Sequence, residues 1–544
     1  MQLLDWIVLV ITLTGIIGYG VYKSKATKNL EGYFLGNRSL PWYMVLLSIM
    51  GTQASAITFI SAPGQSYTDG MRFVQYYFGL PLAMIAITYT LMPLFIGKQL
   101  FTPYTWLQTR FDAKTRVLTS FLFLLQRGLS TGISIYAPSI ILSTLLGWNI
   151  YATNLGMGGL LIIYTVYGGA KAIAHTQKLQ LLIILGGMFL AGYIAWQGIA
   201  ANTTFSNAFN IANNSHKLNV ITSGISNGNF DFKDKYNVIS GIIGGFFLAF
   251  SYFGTDHSQV GRILTSKNIK ESRKGLLMNG IIKIPMQFFI LAIGVFVFVF
   301  YQYKNHPISF QKNAMAYVDT TTNVKLKSTS VAYNKTFEKL NAENIEKRDS
   351  LRKEFTKELK AIGQNDIADD TNHIFLKFVV TYMPVGLLGL IIAVIFLAAW
   401  GSISAALNSL ASCTIIDFIK VLNKKEVTEA SDYKLSKLVT LLWGLFCIGV
   451  AMFAGSMGSL IEAVNILGSW FYGTVLGIFL AGLWLPKVKG TSIFIAAIIV
   501  QIAIITLTFI PSVQIGFLWY NVIGCLCVMA LSLLFTLSKK INKA

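Results

Sequence analysis

The chain has 544 residues, of which 54% are hydrophobic and only 12% charged, with a formal net charge of +21 and a mean hydropathy of +0.59. That is far more apolar surface than one soluble core buries, so a soluble globular class is excluded and a polytopic membrane protein is indicated.

Windows of about 20 apolar residues, the length that crosses a bilayer, recur at 4–23, 42–68, 74–97, 115–147, 150–168, 174–199, 237–262, 275–303, 384–420, 435–455, 459–485, 490–510 and 514–536. These are numbered spans one to thirteen. Span one carries an acidic flank at Asp5 and no small-residue cleavage site, so it reads as retained rather than as a signal peptide. Loops after the odd-numbered spans, with the C-terminal tail, hold 25 Lys and Arg, against Arg72, Lys217, Lys233 and Lys235 in the opposite loops, the long one aside. The imbalance predicts an outside N-terminus and a cytoplasmic C-terminus in a plasma membrane. The positive charge reads as topology and attraction to anionic lipid, not as a nucleic-acid footprint, because no basic and aromatic residues interleave on a soluble domain.

Span two holds LLSIMGTQASAITFISAPG (46–64), in which Gly51, Thr52, Gln53, Ser55, Thr58 and Ser61 interrupt the apolar run and Pro63 with Gly64 closes it. Small residues of this kind serve a helix packing face. They also suit a helix that unwinds at mid-membrane depth, which is tolerated only where the freed backbone lines a polar cavity.

Two cations lie deep in later spans. Arg127 falls about twelve residues into span four, a costly depth unless it faces protein or a wet cavity. It can offer a fork to a substrate carboxylate or pair internally with a residue such as Asp256. Lys283 in span eight can contact a solute or make an interhelical hydrogen bond.

Between spans eight and nine, 304–373 reads as an extracellular insertion. Its early part looks polar and aperiodic, and from Thr336 to Ile362 the residues Leu351, Phe355, Leu359 and Ile362 repeat at helical spacing. The five histidines are scattered without metal spacing, and Cys413, Cys447, Cys525 and Cys527 read as packing residues. No Walker, Rossmann or kinase pattern appears, so an enzyme is not expected.

Six phrases in order carry a likeness: GYFLGNRSLPWY (32–43), SAITFISAPG (55–64), YTVYGGAKAI (164–173), GRILTSKNIKESRKG (261–275), AALNSLASCTIIDFIK (405–420) and GIFLAGLW (477–484). With them the sequence resembles the sodium:solute symporter family over nearly its whole length. The resemblance implies an all-α, LeuT-type inverted repeat of five plus five helices, 42–199 and 237–485, with 4–23 and 490–536 as additions. An inverted repeat predicts a second broken helix five spans after the first. Span seven offers one, since Ser251, Gly254, Thr255, Asp256, His257, Ser258 and Gln259 fall together.

The resemblance further implies a solute cavity at Thr58, Tyr76, Tyr77, Ser130, Ala249, Tyr252, Lys283 and Asn465, to which the depth of its charge adds Arg127. Tyr77 stands where related sugar carriers use a carboxylate, and Ala249 where they use an amide. Loss of those acceptors beside two cations favours an anionic solute, such as a sialic-acid-like sugar acid or a monocarboxylate. A neutral sugar or an amino acid is the alternative.

For the coupling ion, the family's pattern implies carbonyls at Gly51, Ala54 and Ala398 and the hydroxyl of Ser402, joined by Ser404 or water, as oxygen ligands for sodium. Gly401 stands where a second hydroxyl is usual. Span six has Gln177 in place of an Asp, with Lys178 beside it. Lys178 could therefore replace the ion and make transport proton-coupled or uncoupled. A sensor built on a transporter body is a further alternative, and oligomeric state is not legible.

Overall fold

The computed structural model of the chain describes residues 2–23, 30–53, 55–167, 170–226, 228–422, 429–510 and 512–541. Among these, eight helices are long and apolar enough to cross a membrane, and a helical pair bent by 61° makes a ninth crossing. Shorter apolar helices at Leu3–Ile16, Ile150–Val166 and Ser240–Gly254 fall on spans one, five and seven. The chain is a multi-pass membrane protein.

The bent pair is span two, whose first half, Trp42–Gln53, is followed by Ala56–Asp69. Ser55 is extended, with φ −82° and ψ 173°, and Ala54 lies outside the described residues. The break exposes the Gln53 carbonyl, which accepts from the Ser55 amide at 2.8 Å and from the Thr58 hydroxyl at 3.0 Å. A hydroxyl three residues past the break therefore satisfies part of the backbone that unwinding frees. Pro63 and Gly64, which close the apolar run, do not break the helix, which continues through both to Asp69, close to the expected end of the span at 68. Gly64 is needed for a neighbour instead: a Cβ there would sit 1.9 Å from the Thr371 carbonyl oxygen.

Span seven breaks in the same manner. A π-helical turn, Ser240–Gly244, leads into Gly245–Gly254, and after Thr255 and an extended Asp256 (ψ 116°) the helix restarts as His257–Leu264. The Asp256 carboxylate caps that restart by accepting from the Ser258 amide at 2.8 Å. Two breaks five crossings apart are the signature of the five-plus-five inverted repeat.

In the most apolar stretch of span nine, Leu387–Leu422, 89% of the residues are buried, against 39% and 33% in spans twelve and thirteen, which sets span nine deep in the bundle. Asp5 is not merely a flanking charge. Its carboxylate accepts from the amides of Gly386 at 2.6 Å and Gly389 at 3.3 Å, pinning span one to the start of span nine.

The insertion is a small folded body with its own core of Ile308, Ala314, Val318, Leu326, Tyr333, Phe355, Leu359 and Ala368. Its early part is helical, not aperiodic, at Lys312–Thr320 and Val324–Lys335. Those helices are polar and bury single residues about one turn or two apart, which leaves a weak apolar signal. Ala342–Ala361 follows, capped by Asn341, whose side chain accepts from the Asn344 amide at 2.7 Å. Phe355 and Leu359 are buried as expected, but Ile362 lies beyond the helix end and is exposed.

Candidate functional site

The two breaks meet. Thr52, Gln53, Ser55 and Thr58 from span two, and Leu248, Ala249, Tyr252 and Ser258 from span seven, line one cavity of about 130 Å³. Spans four, eight, nine and eleven complete its wall with Arg127, Lys283, Ser402 and Asn465, and the 3-10 helix Gly70–Tyr77 adds Tyr76 and Tyr77. Of the expected solute residues, this brings together Thr58, Tyr76, Tyr77, Arg127, Ala249, Tyr252, Lys283 and Asn465.

Ser130 is not among them. Its hydroxyl turns into its own helix and donates to the Gln126 carbonyl at 2.9 Å, and Thr131 and Ser134 line the cavity in its stead. A choice between neighbours on one helix face cannot be made from spacing alone.

Tyr76 and Tyr77 stand edge to face with centroids 4.5 Å apart, and the Tyr76 hydroxyl donates to Asn465 Oδ1 at 3.1 Å. Gln259 Nε2 donates to the Tyr252 hydroxyl at 2.7 Å. The wall is thus aromatic, with its phenol oxygens already positioned by amides.

The two cations differ in what surrounds them. Arg127 forms a buried ion pair with Asp256, whose carboxylate also accepts from the Tyr472 hydroxyl at 3.1 Å and the Ser258 hydroxyl at 2.6 Å. Its charge is therefore compensated within the protein, the internal pairing that the sequence left open. Lys283 is buried too, yet its ammonium has no ion-pair or hydrogen-bond partner among the described residues; the Tyr77 ring lies 5.6 Å from it. A buried ammonium on a cavity wall with only a ring face for company has its hydrogen-bond donors unmet by the described residues.

Tyr472 is a wall residue that sequence reasoning missed. It sits in a run from span eleven, GSWFYGTVLGIFLAGLW, whose mostly apolar character drew no attention to its three hydroxyls, Ser469, Tyr472 and Thr474. Thr52 and Ser258 carried a signal, their place in the polar stretches, but were not selected.

At the inner edge of the span-two break, Gln177 reaches between spans two and nine. Ser48 Oγ donates to its Oε1 at 3.0 Å, and its Nε2 donates to Thr52 Oγ1 at 3.2 Å and toward the Gly401 carbonyl at 3.5 Å. Gly51 allows this approach, since a Cβ there would lie 2.8 Å from Gln177 Cβ. Ser402 lines the solute cavity while its hydroxyl donates to the Ala399 carbonyl at 3.0 Å. Ala398, one residue earlier, is buried in span nine.

Lys178 does not enter this slot. Its side chain is exposed, because adjacent residues on a helix point about 100° apart and Gln177 takes the inward direction. The idea of a lysine ammonium standing in for the ion is corrected accordingly. No cluster of three or more His, Cys, Asp or Glu side chains suited to a metal occurs among the described residues.

Comparison with known proteins agrees with this architecture. The family profile described as "Sodium:solute symporter family" matches residues 33–325 and 355–507. The sodium/sialic acid symporter SiaT of Proteus mirabilis (strain HI4320) is 26% identical over 522 residues, covering 95% of this chain and 91% of that protein. The sodium-coupled monocarboxylate transporter 2 of Mus musculus is 24% identical, covering 87% of this chain and 66% of that one. Among solved structures, a substrate-bound, outward-open Na+-coupled sialic acid symporter superposes with a TM-score of 0.77 at 24% identity, covering 98% of both chains. That likeness establishes the LeuT-type fold.

Proposed function

The chain belongs to the sodium:solute symporter family, and from that premise we propose that it is a sodium-driven importer of a small organic anion, with a sialic-acid-like sugar acid as the first candidate solute. The observation that carries the anionic reading is Lys283, a buried cation on the cavity wall without a protein counter-charge among the described residues. Similarity to a sodium/sialic acid symporter supports the sugar acid.

A monocarboxylate is the second reading. At about 130 Å³ the cavity is smaller than the roughly 300–1,000 Å³ typical of ligand pockets. A short carboxylate fits it as it stands, whereas a sugar acid requires the two halves of the bundle to part. Lys283 meets the carboxylate, Arg127 is held by Asp256, and Tyr76, Tyr77 and Tyr252 supply apolar faces, with the hydroxyls of Tyr76 and Tyr252 fixed by amides. Thr58 and Asn465 offer further hydrogen bonds.

Sodium is the coupling ion of this scheme. Oxygens at Gly51, Ala398 and Ser402 serve it where spans two and nine meet, with the further expected ligand, Ala54, outside the described residues, and Gln177 closes the slot with an amide. The ion ties the break of span two to span nine, favours the solute-accepting arrangement, and leaves when the opposite side opens. The loop charges set the N-terminus outside and the C-terminus in the cytoplasm.

The test is uptake into proteoliposomes with and without an inward sodium gradient, using labelled sugar acids, monocarboxylates, hexoses and amino acids. Gradient-dependent uptake of an acid is expected. Equal uptake without sodium removes the coupling, a neutral hexose as the best solute removes the anionic reading, and no net uptake of any solute leaves a sensory role.

A further inference from the structure

On the face opposite the Lys- and Arg-rich loops, a second and much larger cleft of about 1030 Å³ opens between the helix Phe205–Asn214 and the insertion helix Ala342–Ala361. One wall is built from amides. Asn207, Asn210 and Asn214 recur at helical i, i+3, i+7 spacing and all three line the cleft. The other face of that helix carries the exposed rings of Phe205 and Phe209, with Phe205 edge-on to Trp196 at the end of span six, so the helix is anchored on its apolar side.

Asparagine is a poor helix former, and none of the three amide side chains has a hydrogen-bond partner among the described residues. The fold does not need them where they are. Across the cleft stand Ser350 and the side chains of Glu346 and Lys353, and the floor presents the ring of Tyr303.

Charge in the cleft is balanced. Asp69, Glu346 and Asp349 face Arg72, Lys217 and Lys353, and Lys217 is already tied to Asp349 at 3.0 Å and Arg72 to Asp69 at 3.1 Å. Such a surface has no electrostatic preference for an ion. Unpartnered amides with both donors and acceptors, beside an aromatic face, match the hydroxyls and the C–H faces of a neutral sugar chain. The volume lies at the upper end of the range for ligand sites and is far above that of the central cavity. The wall from Leu340 to Lys353 lies in 326–354, the stretch that the family profile leaves unmatched. The facing asparagine helix lies within the matched residues, so the cleft forms where the insertion meets the shared transport core.

We infer that this cleft is an external carbohydrate-binding site for a short neutral oligosaccharide, separate from the transport cavity. The inference goes beyond the transport reading and does not rest on it. A sugar held there touches the insertion and, through Thr68 and Arg72, the end of span two, where Lys217 Nζ donates to the Thr68 carbonyl at 2.8 Å.

The experiment is calorimetric titration of the full-length protein in nanodiscs with maltotriose and with triacetylchitotriose, repeated on Asn210→Leu, Ser350→Trp and Lys283→Met. Saturable binding of at least one trisaccharide is expected. Asn210→Leu, which alters an unbonded side chain and leaves the fold unburdened, should weaken it roughly tenfold, the effect of one or two lost hydrogen bonds. Ser350→Trp should abolish it by filling the cleft, and Lys283→Met should leave it unchanged. Failure of both sugars to bind, binding that survives Asn210→Leu, or loss of binding in Lys283→Met overturns the inference. If Ser350→Trp does not fold, Asn210→Leu alone decides.

Discussion

The Arg127 guanidinium of span four donates to the carboxylate of Asp256, the residue that also caps the second half of span seven. One carboxylate thus holds a helix start and a buried cation at the edge of the solute cavity. Removing one member of a buried pair leaves the other charged and unpartnered, at a cost of about 3–5 kcal/mol. Arg127→Met and Asp256→Asn are each expected to lower unfolding stability by that order. The double variant should recover a substantial part, because residues in one network are not additive. Chemical denaturation of the purified protein followed by tryptophan fluorescence measures all three.

Lys283→Met should remove the uncompensated cation without opening a large void. A charge-assisted hydrogen bond contributes about 1.5–3 kcal/mol, so affinity for the transported acid is expected to fall by about 10- to 150-fold. Competition against a labelled acid checks this, and a neutral solute that binds equally well to both proteins supports loss of charge rather than collapse of the cavity.

Gln177→Asp would place a carboxylate among Ser48, Thr52 and the Gly401 carbonyl, within the slot assigned to sodium. The added negative charge should lower the sodium concentration giving half-maximal uptake. A rise in that concentration, measured across a sodium series at fixed solute, would remove the ion from this position.

Acid should weaken the insertion through His306. Its ring stacks on Phe310 with centroids 4.8 Å apart, its Nδ1 donates to the Pro307 carbonyl at 2.9 Å, and Tyr333 lies at 3.2 Å. Burial, and then the nearby Arg352 and Arg348 charges, push its pKa down to about 3. The unfolded imidazole, with a pKa near 6.5, binds a proton that the folded one refuses. Stability contributed by the neutral ring is present above about pH 6.5 and is lost as pH falls toward 3, by up to about 1.4 kcal/mol per pH unit. His306→Phe should flatten that slope in unfolding curves taken between pH 7 and 4.

Span two shows what the residues disclosed in advance. Hydroxyls and glycines in an apolar run marked the break, because helical backbone at membrane depth is released only toward a polar space. The same logic found span seven. Pro63 lies inside the second half-helix without ending it, since a proline interrupts one hydrogen bond and is tolerated when neighbours hold the helix in place. Rotational detail was also hidden: Ser130 against Thr131, or Gln177 against Lys178, differ by about 100° on a helix, and Ser130 against Ser134 by about 40°, and only packing fixes the phase. The pairing of Arg127 with Asp256 joins residues 129 positions apart; the sequence offered Asp256 as an internal partner beside a substrate carboxylate, and only packing chose between them. The polar insertion helices were invisible because their apolar faces are only a few residues wide.

The contact between Gly64 and the Thr371 carbonyl has a mechanical meaning. Helix Thr371–Tyr382 lies against the second half of span two with no room for a side chain between them, and Asn372 accepts from the Ser61 hydroxyl at 2.7 Å. Next to it, Asp370 is gripped by Arg352 of the insertion at 2.8 Å. Any tilt of that half-helix drags a soluble body with it, so the protein wears a lever on its outer surface. A binder that clamps the insertion would act as a brake on the transport cycle without touching the solute.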